Sequence, residues 1–187
     1  MRKLFFTALL AANIAFADEI IGFSAYENGD YGTAYLHLLE AAQEGNDEAM
    51  YLIGRMYQYG FGVNKDESKA AEWYQKAAQK KNALAELSVG FLYDIGQGLP
   101  QSYQMAFTWY MKAAIQGNAI AQRNVGLMYA TGEGVQRSES DALIWFQKSA
   151  EQGYAKAQVN LAYQYLIGAG VAENINKALY WYEKAAK

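Results

Sequence analysis

The strongest constraint on this chain is that it repeats itself every 36 residues, four times, with no insertion or deletion. Ala49, Ala85, Ala121 and Ala157 form one column, and Tyr57, Tyr93, Tyr129 and Tyr165 another. The columns that begin at Gly60, Gly62, Ala70, Trp73, Lys76 and Ala78 are equally invariant, ending at Gly168, Gly170, Ala178, Trp181, Lys184 and Ala186. A fixed period of this length marks a stack of small units, none of which can bury a core alone. The copies occupy residues 46–81, 82–117, 118–153 and 154–187.

Each copy reads as two helices. In the first, helix A spans Asp47 to Tyr59 and ends at Gly60-Phe61-Gly62, because glycine reaches the left-handed conformation that closes a helix. Helix B begins after Asp66 and ends near Lys80; Ser102, Ser138 and Asn174 occupy the same N-cap position in later copies. Asn46, Asn82 and Asn118 open the A helices as further caps, and Gly117 and Gly153 close B helices where the first copy has Lys81. The alanine columns let A and B approach closely, and the Tyr and Trp columns fill the space between turns. Residues 18–45 read as a worn helix pair of the same type, with Asp30, Ala34 and Gly45 in register. The expected fold is therefore all-α: a right-handed α-solenoid of about five antiparallel helix pairs.

The pattern Ala49…Gly54…Tyr57…Gly60-x-Gly62-Val63…Ala70…Trp73-Tyr74…Lys76-Ala77-Ala78 closely resembles the Sel-one-like repeat, a relative of the tetratricopeptide repeat. The resemblance covers residues 30–187. It implies a protein-binding scaffold or adaptor, often exported in bacteria. It also implies two narrower roles: an immunity protein that neutralises a secreted antibacterial toxin, or an envelope assembly adaptor. A secreted branch of the family staples each repeat with a disulfide and is linked to β-lactam binding. This chain has no Cys, so that activity is not carried over. Ala162 also departs from the glycine column of Gly54, Gly90 and Gly126.

The first seventeen residues read as a secretory signal peptide. Arg2 and Lys3 precede an apolar stretch from Leu4 to Ala12, and Ala15-Phe16-Ala17 fits the small-x-small rule, with cleavage before Asp18. The stretch is too short for a stable span, so no lasting membrane insertion is expected. The protein is expected in the periplasm or outside the cell. Losing Arg2 and Lys3 takes the formal charge from −3 to −5, which argues against nucleic-acid partners.

Composition also excludes much chemistry. The absence of Cys excludes thiol catalysis and thiolate zinc sites, and one His, His37, makes a hydrolytic triad or His metal site implausible. His37 falls in the Trp column and reads as a filler of the worn pair. The Gly-x-Gly turns follow helices rather than a strand, so they are structural and not a dinucleotide cradle. Neither Gly-x-Ser-x-Gly nor Ser-x-x-Lys occurs, which leaves a β-lactam or cell-wall hydrolase as the weakest reading. No enzyme activity, cofactor or metal is expected.

A partner is expected instead. At 100° per residue, Ala49, Ile53 and Tyr57 make the core stripe of helix A, and the opposite face is free to vary. In solenoids of this kind the A helices line the concave surface. The expected polypeptide-binding residues there are Tyr51, Arg55, Tyr59, Leu87, Phe91, Arg123, Leu127 and Tyr163. Tyr and Arg are favoured interface anchors. Leu179, Tyr180 and Trp181 on the last helix are a second expected contact, through which the protein would self-associate.

Overall fold

The computed structural model describes residues 19–187, and the expected signal peptide, residues 1–17, lies outside them. All regular structure among the described residues is helical. The order is α1 (residues 19–27), α2 (Tyr31–Gln43), α3 (Asp47–Tyr59), α4 (Glu67–Gln79), α5 (Ala83–Ile95), α6 (Tyr103–Ile115), α7 (Ala119–Thr131), α8 (Glu139–Glu151), α9 (Ala155–Ile167) and α10 (Ile175–Ala185). This is the expected class, helix pairs in series. Two compact units emerge: the described residues through Ala85 with Gln97–Leu99, and Glu86–Gly96 with Pro100–Lys187. In the first unit α3 packs on α2 and α4; in the second, α6 through α9 each pack on the next helix.

The helix ends follow from local chemistry. The Asn46 side chain accepts the Ala49 amide at 2.8 Å, Asn82 that of Ala85 at 2.9 Å, and Asn118 that of Ala121 at 2.9 Å. Asp66 and Asn174 do the same for Lys69 and Lys177, both at 2.9 Å. Each cap satisfies an amide that has no partner inside its helix. Tyr154 opens α9 without a side-chain cap, as a residue with no short acceptor must. Between the helices of a pair, the carbonyl of the Tyr column accepts the amide of the next N-cap: Asp66 to Tyr57 at 2.9 Å, and Ser102 to Tyr93, Ser138 to Tyr129 and Asn174 to Tyr165, each at 2.8 Å. Lys81 takes φ 67°, the left-handed conformation that glycine supplies at Gly117 and Gly153.

The turn glycines have two separate tasks. Gly60 ends α3 at φ 76°. Gly62 does something else: a Cβ there would come 2.6 Å from the carbonyl oxygen of Tyr31, the first residue of α2. Gly98, Gly134 and Gly170 meet the carbonyls of Glu67, Tyr103 and Glu139 in the same way, each the start of the preceding B helix. The second glycine is therefore the place where one repeat touches the backbone of the one before.

The deepest aromatic column is not the invariant one. Tyr74, Tyr110 and Phe146 are each 1% exposed, whereas Trp73, Trp109 and Trp145 are only half-buried. Each buried ring lies against a glycine of its own helix A. A Cβ on Gly54, Gly90 or Gly126 would sit 2.6, 2.6 or 2.7 Å from the ring of Tyr74, Tyr110 or Phe146. Ala162 carries the methyl that the other pairs exclude, and Tyr182 opposite stays half-buried. The expectation that Trp fills the core is thus refined: its neighbour does so, and Trp covers the flank.

A second column is buried and polar. Glu86, Gln122 and Gln158 are 3%, 6% and 6% exposed. Gln122 donates to the Ala114 carbonyl at 3.1 Å and accepts from Gln152 at 2.7 Å, and Gln158 donates to the Ala150 carbonyl at 3.2 Å. These amides answer helix-end carbonyls of the preceding B helix, groups that would otherwise be buried unpaired.

Candidate functional site

In the first unit, Tyr51, Arg55 and Tyr59 lie one helical turn apart on α3 and so share a face. Tyr59 is 56% exposed; Tyr51 and Arg55 are half-buried. The Arg55 guanidinium carbon lies 5.8 Å from the ring centroid of Tyr26 on α1 and 5.9 Å from that of Tyr59. Tyr59 stacks on Phe61 at 5.4 Å, and Phe61 on Tyr31 at 4.7 Å with an 8° interplanar angle. Tyr51 packs at 5.6 Å on the buried Tyr74, so one edge of it belongs to the core. The Tyr74 hydroxyl donates to Gln58 at 2.6 Å. The Tyr26 hydroxyl is buried with no hydrogen-bond partner among the described residues. Burial pushes its pKa up, while the nearby Arg55 charge pulls it down.

In the second unit the expected residues divide. Phe91 and Tyr163 are 43% and 52% exposed. Ile95, Ile120, Val159 and Ile167 on the same helices and on α7 are also more than two-fifths exposed. Leu87 leans on the cluster around Tyr110 and Val125, and Leu127 on the cluster around Phe146 and Leu161. Arg123 donates from Nε to Asn160 Oδ1 at 3.0 Å, which ties α7 to α9. Leu87, Leu127 and Arg123 thus serve packing between repeats at least in part, and the open face is carried by Phe91, Tyr163 and the exposed isoleucines.

On α10, Leu179 and Tyr180 are 56% and 51% exposed, whereas Trp181 is half-buried against the Phe146 cluster. Trp181 forms an edge-on pair with Tyr180 at 5.3 Å. One role went unread in the sequence although its signal was present. Trp and Lys recur three residues apart, which puts them on one helix face. Lys76, Lys112 and Lys148 place their ammonium groups 4.0, 3.6 and 4.2 Å from the ring centroids of Trp73, Trp109 and Trp145. Lys184 sits 5.2 Å from Trp181. The invariant Trp-x-x-Lys spacing is a cation–π pair that shields each half-buried indole. Tyr26, Tyr31 and Phe61 were also missed, because their roles depend on which helices meet.

His37 is half-buried on α2. Among the described residues no three His, Cys, Asp or Glu side chains gather as a metal site, and no helix is long and apolar enough to cross a membrane.

The Sel1 repeat model matches residues 47–82, 83–118, 119–154 and 155–187. The chain belongs to the Sel1 repeat family. The family phase begins one residue later than the copies read from the sequence. Among solved structures, a protective antigen of uropathogenic Escherichia coli with an SLR fold is 31% identical at a TM-score of 0.88, covering 94% of this chain. This chain spans 38% of that antigen's length. A Sel1 repeat protein from Oxalobacter formigenes is 33% identical at 0.86, over 92% of this chain and 72% of its own. An immunity protein from Pseudomonas aeruginosa shares the fold at 23% identity and 0.56, over 88% of this chain and 64% of its own. No curated protein matches the sequence closely. Sel1 repeats are scaffolds for protein–protein interaction.

Proposed function

We propose that this Sel1 repeat protein is an exported, non-enzymatic scaffold that binds a polypeptide on the outward faces of its A helices. The observation that carries this reading is the row of exposed large side chains there: Phe91, Ile95, Ile120, Tyr163 and Ile167 in one unit, and Tyr59 in the other. The core stripe of the same helices is closed, with Ala85, Val89, Ala121 and Val125 at 0% exposure. A row of exposed apolar side chains of this kind is what a partner covers.

The joint change Phe91→Ala and Tyr163→Ala tests it, with Tyr59→Ala as the matching change in the first unit. Interface aromatics at the centre of a patch cost about 2 kcal/mol or more when truncated. Crosslinking in cells followed by mass spectrometry is expected to lose a specific partner from the variants, with thermal unfolding unchanged. Recovery of the same partners at full yield by the folded variants would sink the reading.

Two finer proposals follow the family resemblance. Export by the expected leader means that the protein recovered from the periplasm or medium starts at Asp18, as N-terminal sequencing would read; an intact Met1 end there would refute cleavage. Toxin neutralisation is the narrower role favoured by likeness of fold to an immunity protein. Growth rescue on co-expression with a toxin encoded beside the gene tests it against an envelope-assembly role. Self-association through α10 is a separate proposal, resting on the exposed Leu179 and Tyr180.

A further inference from the structure

The outward face of α3 differs from its equivalents in one respect. Position 55 is Arg, whereas Phe91, Leu127 and Tyr163 stand in the same column. The cation belongs to the first repeat alone, next to the worn pair that contributes Tyr26 and Tyr31. The Tyr26 and Tyr59 rings both lie within cation–π distance of the guanidinium and restrain it on this face of α3. Ring faces use none of its five N–H donors. No acidic side chain among the described residues forms an ion pair with Arg55; the described pairs are Lys65–Glu67, Lys69–Asp66 and Arg137–Glu139. Beside it the buried Tyr26 hydroxyl is a second donor with no acceptor among the described residues. A guanidinium with no acidic partner calls for an anionic oxygen pair.

We propose that Arg55 anchors an aspartate or glutamate side chain of the polypeptide partner, whose flanking apolar residue rests on Tyr59. This rests on the reading of the A-helix face as a polypeptide-binding surface. A planar guanidinium that two nearby rings restrain is pre-organised for a bidentate carboxylate. A side-chain carboxylate is the source, not a chain terminus: terminal carboxylates are captured by free backbone amides, and the flank of α3 has its amides bound within the helix. The exposed Tyr59 ring, backed by the half-buried Phe61 and Tyr31, supplies an apolar platform for the neighbouring residue.

The test uses the mature protein against an array of short random peptides acetylated and amidated at their ends. Peptides that bind are expected to carry Asp or Glu beside an aromatic or aliphatic residue, and Arg55→Gln is expected to erase that preference. For the best binder, Glu→Gln in the peptide weakens binding about tenfold or more in the wild type. It changes nothing in Arg55→Gln, so the two substitutions are coupled in a double-mutant cycle. Arg55 is half-exposed, and circular dichroism is expected to show an intact fold in its variant. Binding that ignores the acidic residue, or an acid preference that survives Arg55→Gln, overturns the anchor. If such binding still fails with Tyr59→Ala, the binding face of α3 stands and only the anchor falls. Binders indifferent to all these changes, or no binders at all, overturn both.

Discussion

Phe146→Ala is expected to destabilise the protein by about 3–5 kcal/mol, and Trp145→Ala by clearly less. The two residues are neighbours, and repeat arithmetic alone would rank them the other way, since Trp is invariant and position 146 alternates between Tyr and Phe. Burial reverses the order. Phe146 is 1% exposed and is pressed against Gly126, where a Cβ would stand 2.7 Å from the ring. Truncation opens a cavity that a rigid helix pair closes only in part. Trp145 is half-buried, and its exposed face is already shielded by Lys148 at 4.2 Å. Urea unfolding of the two variants measures the difference. Equal losses would mean that the indole carries more of the packing between repeats than its exposure indicates.

The second large effect concerns the paired glycines. Gly134→Ala is expected to cost more than about 2 kcal/mol, and Gly117→Ala only about 1 kcal/mol, the ordinary penalty of a side chain at positive φ. Both residues lie in the left-handed region, Gly134 at φ 72° and Gly117 at φ 94°. They differ in what surrounds them. Nothing lies within 4 Å of a Cβ at Gly117, and Lys81 already occupies the equivalent turn at φ 67°. A methyl at Gly134 runs into the backbone of Tyr103 and Gln104, which cannot swing aside as a flexible side chain would. The clash forces α6 and the turn after α7 apart, so the damage falls on coupling between repeats. In a stacked array that coupling supplies cooperativity. Gly134→Ala is therefore expected to broaden the unfolding transition as well as shift it. A sharp transition with an unchanged midpoint would refute the argument.

Local rules explain why so much of the fold was legible. Helix A of the first repeat runs from Asp47 to Tyr59, the residues expected from its cap and its closing glycine. Asn46 caps because its side chain reaches an amide three residues on, and Gly60 closes because φ 76° costs glycine little. Neither event needs a distant partner. The candidate site was less legible. Arg55 and Arg123 look alike in sequence, each on the variable face of an A helix. Arg123 is committed to Asn160, 37 residues away, while Arg55 lies near rings from α1 and α3 and has no acidic partner among the described residues.

The sequence by itself determined the repeat, the helix boundaries and the alanine stripe, because caps, left-handed turns and close approach act at fixed short spacing. The tertiary structure alone decided which aromatic column is the core and which face residues remain open. A side chain is buried, tied or open according to what stands opposite it on another helix: Gly126 for Phe146, Asn160 for Arg123, Tyr26 for Arg55. Those pairings cross between helices, where packing rather than spacing selects the neighbour.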